Sequence, residues 1–146
     1  MAFTTRRRVE FRDTDAAGIA HFSAFFFWME SVEHELLRAA GVAVVDRDAA
    51  GSEASWPRVS AECDYTSSVR FGDELEVVAG IVSIGRTSLT YGFRFAHEGR
   101  PVAEGRIVAV HCLMHAGTKP EPVAISAEIR QKLEPYHMPR TTADQD

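Results

Sequence analysis

The sequence predicts an α+β domain in which an antiparallel sheet wraps around one long central helix. Three observations carry that expectation. Apolar residues recur at helical spacing over residues 24–40, and most of the chain beyond residue 57 reads as long segments rich in Val, Ile, Tyr and Phe, broken by glycine-containing turns. The order is strand, helix, then strands, so the only surface able to cover the helix is the sheet itself. At 146 residues, 45% hydrophobic and 25% charged, the chain has the size and make-up of a single folded domain with its own core.

A first strand is expected over residues 3–11, where Phe3, Arg7, Val9 and Phe11 share the odd-numbered face. The chain then turns through residues 13–18. Ser23 is the expected N-cap of the helix, Phe25, Phe26, Met29, Val32, Leu36, Leu37 and Ala40 supply its apolar stripe, and Gly41 stops it. Glu30, Glu33, Glu35 and Arg38 mark its wetter positions, while the run of Phe22, Phe25, Phe26, Phe27 and Trp28 predicts a first half buried on several sides. Residues 45–55 read as a loop with a short helical turn. Strands are expected over residues 58–69, 73–84, 86–97 and 102–114, joined as an antiparallel meander. A short helix comes next over residues 126–133, so that residues 1–134 form one domain and residues 135–146 a fraying tail.

A net charge of −5 argues against a nucleic-acid binder, which would show a basic face. No apolar run reaches membrane-spanning length and the basic start at Arg6, Arg7 and Arg8 has no apolar stretch after it, so a soluble, cytoplasmic protein without a membrane partner is expected. Cys63 and Cys112, far apart and each in a strand-like setting, fit reduced core residues better than a disulfide. Lysine contributes only Lys119 and Lys132 to the 16 basic residues, and the arginines that supply the rest suit bidentate contact with phosphate where they cluster.

Asp15 lies in a turn that runs directly into the long helix. An Asp in that place is ordinarily a turn or cap residue. It is also where a carboxylate can do chemistry, because the unpaired N–H groups and partial positive charge of a helix N-terminus polarise a carbonyl docked against them. Asp13-Thr14-Asp15-Ala16-Ala17-Gly18-Ile19, the aromatic entry Phe22-Ser23-Ala24-Phe25, and the later Tyr65-Thr66-Ser67-Ser68-Val69-Arg70-Phe71-Gly72-Asp73-Glu74-Leu75-Glu76-Val77 together resemble the hotdog-fold acyl-CoA thioesterases of the 4-hydroxybenzoyl-CoA thioesterase family. The resemblance covers nearly the whole chain and implies hydrolysis of a thioester to a free acid and CoA. It implies Asp15 as nucleophile or general base, the Phe22 backbone N–H as the donor that polarises the carbonyl, and Gly18 as a point where the chain passes close to substrate or adopts a conformation that a Cβ obstructs.

By the same resemblance His21 lines the acyl pocket or assists proton transfer, with a rim position as its ordinary alternative; family members often carry an aromatic residue there, and Asn where this chain has Ala24. Arg86, Thr87 and Ser88 stand where CoA phosphates lie in the family, and Trp56 and Pro57 border the acyl pocket from a neighbouring subunit, unless Trp56 merely covers the end of the helix. CoA enters as part of the substrate, with no separate cofactor. Metal binding is not expected, because Asp13 and Asp15 lack further ligands at suitable spacing, and His111, Cys112 and His115 do not share one face of a strand. A homodimer is the minimal unit, since one such domain leaves a long strand edge open, with a homotetramer as a further assembly. Two rivals remain: a hotdog hydratase or dehydratase acting on acyl thioesters, and a non-catalytic acyl-CoA-binding module.

Overall fold

The computed structural model describes residues 2–48 and 50–139. In chain order it contains β1 (Phe3–Arg8), α1 (Ala24–Ala40), β2 (Asp46–Arg47), β3 (Glu53–Ser55), β4 (Arg58–Tyr65), β5 (Glu74–Ile84), β6 (Ser88–His97), β7 (Arg100–Val110), β8 (Cys112–Met114), β9 (Glu121–Pro122) and α2 (Ala127–Leu133). The long strands form one antiparallel sheet in the order β1-β5-β6-β7-β4, and β2, β3, β8 and β9 form a small second sheet.

Along α1 the expected stripe is the buried one: Phe25, Met29, Val32, Leu36 and Leu37 pack into a single core with Leu75, Val77, Tyr91, Phe93, Phe95 and Ile107 of the sheet. At Gly105 of β7 the helix packs tightly on the sheet, because a Cβ there would collide with the Met29 sulfur. Gly41 ends the helix in the left-handed conformation (φ 78°), its N–H reaching the carbonyls of Arg38 and Leu37. The helix start differs from expectation. Ser23 is itself helical (φ −71°, ψ −22°) and makes no side-chain cap, because its hydroxyl is held 2.7 Å from His21 Nδ1.

Other departures arise from pairing that local patterns do not report. The first strand ends at Arg8 and the chain folds into a 3-10 turn at Phe11–Asp13, which leaves Phe11 79% exposed rather than on the core face. Phe22 and Phe27 are likewise exposed, so the first half of α1 is not buried all round. Residues 45–55, with Ala49 outside the described residues, carry the β2–β3 hairpin instead of a helical turn. The meander holds only for β5, β6 and β7. β4 pairs with β7 at the far side, because β1 occupies the edge of β5 from Phe3↔Ala79 to Arg8↔Glu74. The last long segment breaks at His111, and its end, β8, joins the small sheet beside β3.

Ser126 caps α2 through its hydroxyl, which accepts from Ile129 N at 3.2 Å. Beyond α2 the chain is packed, rather than frayed, as far as Pro139. A 3-10 turn at Glu134–Tyr136 leads His137 into a parallel bridge with Ile81, Met138 N donates to Ile81 O at 2.8 Å, and the Met138 side chain, 2% exposed, fills the space left by Gly80 and Gly92 on the sheet face away from α1. The domain therefore extends to these residues; the remainder of the expected tail, residues 140–146, lies outside the described residues. Cys112 is buried and Cys63 half-buried, both as free thiols, and burial pushes Cys63 up to about 11.

Candidate active site

Residues 14–20 close into a tight loop. Thr14 bridges Ala20, Asp15 N donates to Ile19 O (2.9 Å), Gly18 N donates to Asp15 O (2.9 Å), and Gly18 turns with φ at 79°, a region that side-chain-bearing residues avoid. One oxygen of Asp15, Oδ1, accepts from Ala17 N at 2.8 Å. No other hydrogen bond holds the carboxylate among the described residues, so Oδ2 has no hydrogen-bond partner among them. Asp13 is structural: its Oδ2 accepts from Glu10 N (2.8 Å) and its carbonyl from His21 N (2.7 Å), which pins the loop to the helix entry.

The loop is also tied to the turn between β4 and β5. Ile19 bridges Arg70 and Ala20 N donates to Val69 O at 2.8 Å. Between these segments lies a cleft of about 320 Å³ walled by Asp15, Ile19, Phe22, Phe25, Tyr65 and the run from Thr66 to Val69. Phe22 is 63% exposed, and its N–H donates to no group among the described residues. The structure thus brings three predicted residues together: a carboxylate with a free oxygen, a glycine that shapes its loop, and a residue with an unpaired backbone N–H at the helix entry. Of these, Asp15 and Phe22 border the same cleft, and Gly18 sets the turn that carries Asp15 there.

The other predicted residues are placed differently. His21 stacks on Phe22 (centroids 4.3 Å apart) beside the cleft without walling it, and because Ser23 N–H can only donate to Nδ1 (3.2 Å), the proton of the neutral ring sits on Nε2. Arg86 and Thr87 lie in the β5–β6 turn and Ser88 opens β6, at the opposite end of an 11-residue strand and so about 30 Å from the Asp15 loop of the same chain. That turn is clamped rather than loose, with Arg130 Nη2 on Gly85 O (2.7 Å), Ile125 N on Arg86 O (2.8 Å) and His111 N on Thr87 O (2.7 Å), while the Arg86 side chain is exposed. Trp56 is 2% exposed and stacked on His111 at 4.5 Å, with half-buried Pro57 beside it at the same far end. No three His, Cys, Asp or Glu side chains converge on one point among the described residues.

A sequence model of the thioesterase-like superfamily matches residues 9–133, spanning the Asp15 loop, the helix and every long strand but the first. The chain belongs to that superfamily. This thioesterase is 31% identical over 117 residues to a protein of Aquifex aeolicus that carries a provisional esterase name, a match covering 80% of this chain and 88% of the relative. It is 26% identical over 114 residues to a 1,4-dihydroxy-2-naphthoyl-CoA hydrolase of Synechococcus elongatus, covering 78% and 82% of the two chains. The solved structure of a 1,4-dihydroxy-2-naphthoyl-CoA thioesterase from Synechocystis superposes with a TM-score of 0.79 at 18% identity, over 91% of this chain and 96% of that one, which establishes the shared hotdog fold.

Two groups in the thioesterase hold places that sequence reasoning does not single out. Tyr65 belongs to the third motif, where the sequence assigns it no role; it ends β4, packs edge-on against Phe25 (5.2 Å) and donates its hydroxyl to Phe22 O at 2.7 Å. Glu33, expected at a wet helix position, is fully buried and paired with Arg58 at 2.8 Å. Desolvation raises the Glu33 carboxyl above the ordinary range, against the opposing pull of Arg58. Helical spacing does place Glu33 on the buried stripe, four residues after Met29 and three and four before Leu36 and Leu37, but its charge masks that position and nothing local names Arg58 of β4 as its partner.

Proposed function

We propose that this thioesterase hydrolyses an acyl-CoA with an aromatic acyl group, using Asp15 as nucleophile or general base and the Phe22 N–H as the oxyanion donor. The observation that carries the reading is the shared cleft, in which Asp15 and Phe22 face an apolar space edged by Phe25 and Tyr65. A thioester carbonyl whose oxygen accepts from Phe22 N–H develops its negative charge against a preorganised donor, an interaction worth roughly 3–4 kcal/mol of barrier. In the nucleophilic route the free Asp15 oxygen bonds to the acyl carbon, the C–S bond breaks, the sulfur leaves as the CoA thiolate and takes a proton, and water then opens the mixed anhydride. In the general-base route Asp15 takes a proton from the water that attacks the same carbon, the C–S bond breaks, and the CoA thiolate that leaves takes up a proton. Both end at a free acid and CoA. The aromatic preference rests on the ring edges of the cleft and on the substrate named for the cyanobacterial relatives.

The CoA-binding role of Arg86, Thr87 and Ser88, and the pocket role of Trp56 and Pro57, require a second copy. Among the described residues β4 has a strand partner on one side only. If two β4 edges pair antiparallel about a two-fold axis, Tyr65 of one copy comes beside the Arg58 end of the other, which carries Pro57 and, through Val110 and His111, the β5–β6 turn. This arrangement sets the far end of one chain next to the Asp15 cleft of its partner, with His21 on the rim between them.

The test is release of free thiol from aromatic, short-chain and long-chain acyl-CoAs by wild type and Asp15→Asn. Asn keeps an oxygen for the Ala17 N–H, so folding is retained while kcat drops by about a thousandfold or more. Equal release from both proteins removes Asp15 from the mechanism, and no release by the wild type from any member of the panel leaves a hydratase or a binding module in its place.

A further inference from the structure

We infer that Tyr65 is a positioning residue for this reaction: its hydroxyl latches the Phe22 carbonyl and so aims the adjoining Phe22 N–H into the cleft. The inference rests on the reading of Phe22 as the oxyanion donor and adds to it the group that holds the donor in place.

The backbone around Phe22 shows why a latch is needed. Phe22 is 63% exposed and its ring stacks on the neighbouring His21 ring, so its own side chain does not anchor the peptide to the core. Ser23 supplies no side-chain cap to α1 either. What orders the segment is a set of hydrogen bonds to the neighbouring backbone groups. His21 N donates to Asp13 O (2.7 Å), Ala24 N donates to His21 O (2.9 Å), Ser23 N donates to His21 Nδ1 (3.2 Å), and Phe26 N donates to Ser23 O (3.1 Å). Phe22 O accepts from Tyr65 Oη at 2.7 Å. Between His21 and Ala24, the Phe22 N–H is the donor that these bonds leave over, and it is the group the chemistry requires.

Of these bonds, the one from Tyr65 reaches across from the sheet. Tyr65 is the last residue of β4, paired with Ala103 of β7, and its ring is braced edge-on by buried Phe25. It therefore refers the position of Phe22 to the end of a strand of the main sheet, while the bond from His21 N runs to the Asp13 loop and the others lie within residues 21–26. The bond holds the Phe22 carbonyl and, through the Cα that carbonyl shares with the Phe22 N–H, limits how far the donor can shift. The bond from Ala24 N to His21 O acts on the preceding peptide, and a carbonyl that accepts a hydrogen bond makes the N–H of its own peptide a better donor. The Tyr65 hydroxyl keeps its proton across the working range, because desolvation, with Cys63 and Asp64 nearby, pushes it up to about 12.

Tyr65→Phe retains the ring and its packing on Phe25 and removes only the hydroxyl. Two readouts test it: kcat and KM on the best substrate of the panel, and hydrogen–deuterium exchange over residues 21–26. The expected result is a kcat lower by about tenfold to a hundredfold with KM within about twofold, a melting temperature within about 2 °C of wild type, and exchange at residues 21–26 at least about fivefold faster while the rest of the chain is unchanged. Exchange identical to wild type would overturn the latch whatever the activity, and an unchanged kcat would overturn its role in catalysis. A fall in kcat matched by a general loss of stability would make Tyr65 a packing residue and overturn the inference as well. If Asp15→Asn is inactive and Tyr65→Phe fully active, the thioesterase reading stands without the latch; if the wild type cleaves nothing, that reading falls and exchange at residues 21–26 still decides whether Tyr65 holds Phe22.

Discussion

Glu33 is a charged residue set on the buried stripe of α1. It lies mid-helix with no exposed surface, paired through Oε2 with Arg58, which itself stays partly exposed. Its second oxygen and the equally buried Tyr91 hydroxyl make no well-formed hydrogen bond, although each influences the ionisation of the other; Glu30, on the same helix, raises the Glu33 carboxyl further. Because the folded carboxyl holds its proton more tightly than the unfolded one, its contribution to stability is fully present below the ordinary value of 4.5 and is lost as pH rises through the raised folded value. Glu33→Gln removes that dependence and can still accept from Arg58. The melting temperature of Glu33→Gln relative to wild type is therefore expected to rise as pH goes up from 4.5 and to level off once the folded carboxyl has ionised; a difference that stays flat or narrows would mean that Arg58 compensates burial completely. Asp15 and Gly18 were legible at this scale because a turn and a positive φ are properties of a few consecutive residues. Tyr65 was not, because its bond crosses 43 positions of sequence to Phe22.

Among the elements, α1 is legible to the residue at its end, since a glycine stop and an apolar stripe are local signals, whereas its start depends on a cap that His21 intercepts. The strands are visible as segments but not in their ends and neighbours: β7 and β8 read as one run, and only the fold shows His111 separating two sheets. The C-terminal 3-10 turn with His137 and Met138 shows the same limit, because a short segment with two prolines has no periodicity to read, yet it is held by the two glycines opposite it, Gly80 and Gly92. Met138→Ala empties that site and is expected to cost about 2–4 kcal/mol, lowering the melting temperature by roughly 5–12 °C, with kcat unchanged since the site lies on the sheet face away from α1. A shift below about 2 °C would show that the contact is not kept in solution.

At the scale of the molecule the two edges of the main sheet are not alike. β1 carries Arg6, Arg7 and Arg8 in an unbroken run of like charge of the kind that blunts an edge, whereas in β4 the stretch Val59, Ser60 and Ala61, with Val59 65% exposed, lies between Arg58 and the acidic Glu62 and Asp64, charges of opposite sign that an antiparallel pairing of two copies brings together. This asymmetry favours β4 as the edge that pairs in the proposed homodimer and leaves β1 facing solvent. Sedimentation is expected to give twice the chain mass for wild type and a shift toward the single chain for Val59→Asp, accompanied by loss of thiol release if the partner's Pro57 and Arg86 ends complete the cleft. A wild type that sediments as a single chain and still cleaves acyl-CoA would place the whole site within one protomer. No helix among the described residues is long and apolar enough to cross a membrane.

The sequence by itself determined the class of the fold, the helix and its stop and the turn at Asp15, because each of these is written in the spacing of neighbouring residues, and the likeness of its motifs pointed to the family. Only the tertiary structure decided that β4 lies beside β7 rather than β5, that Tyr65 reaches Phe22, that Glu33 meets Arg58 in the interior, and that the Arg86 turn sits at the far end of the sheet from Asp15. The physical reason is common to all four. Strand neighbours and buried partners are chosen by which surfaces can be covered together, a property of the folded chain as a whole, while periodicity reports only the face that each element turns toward the core.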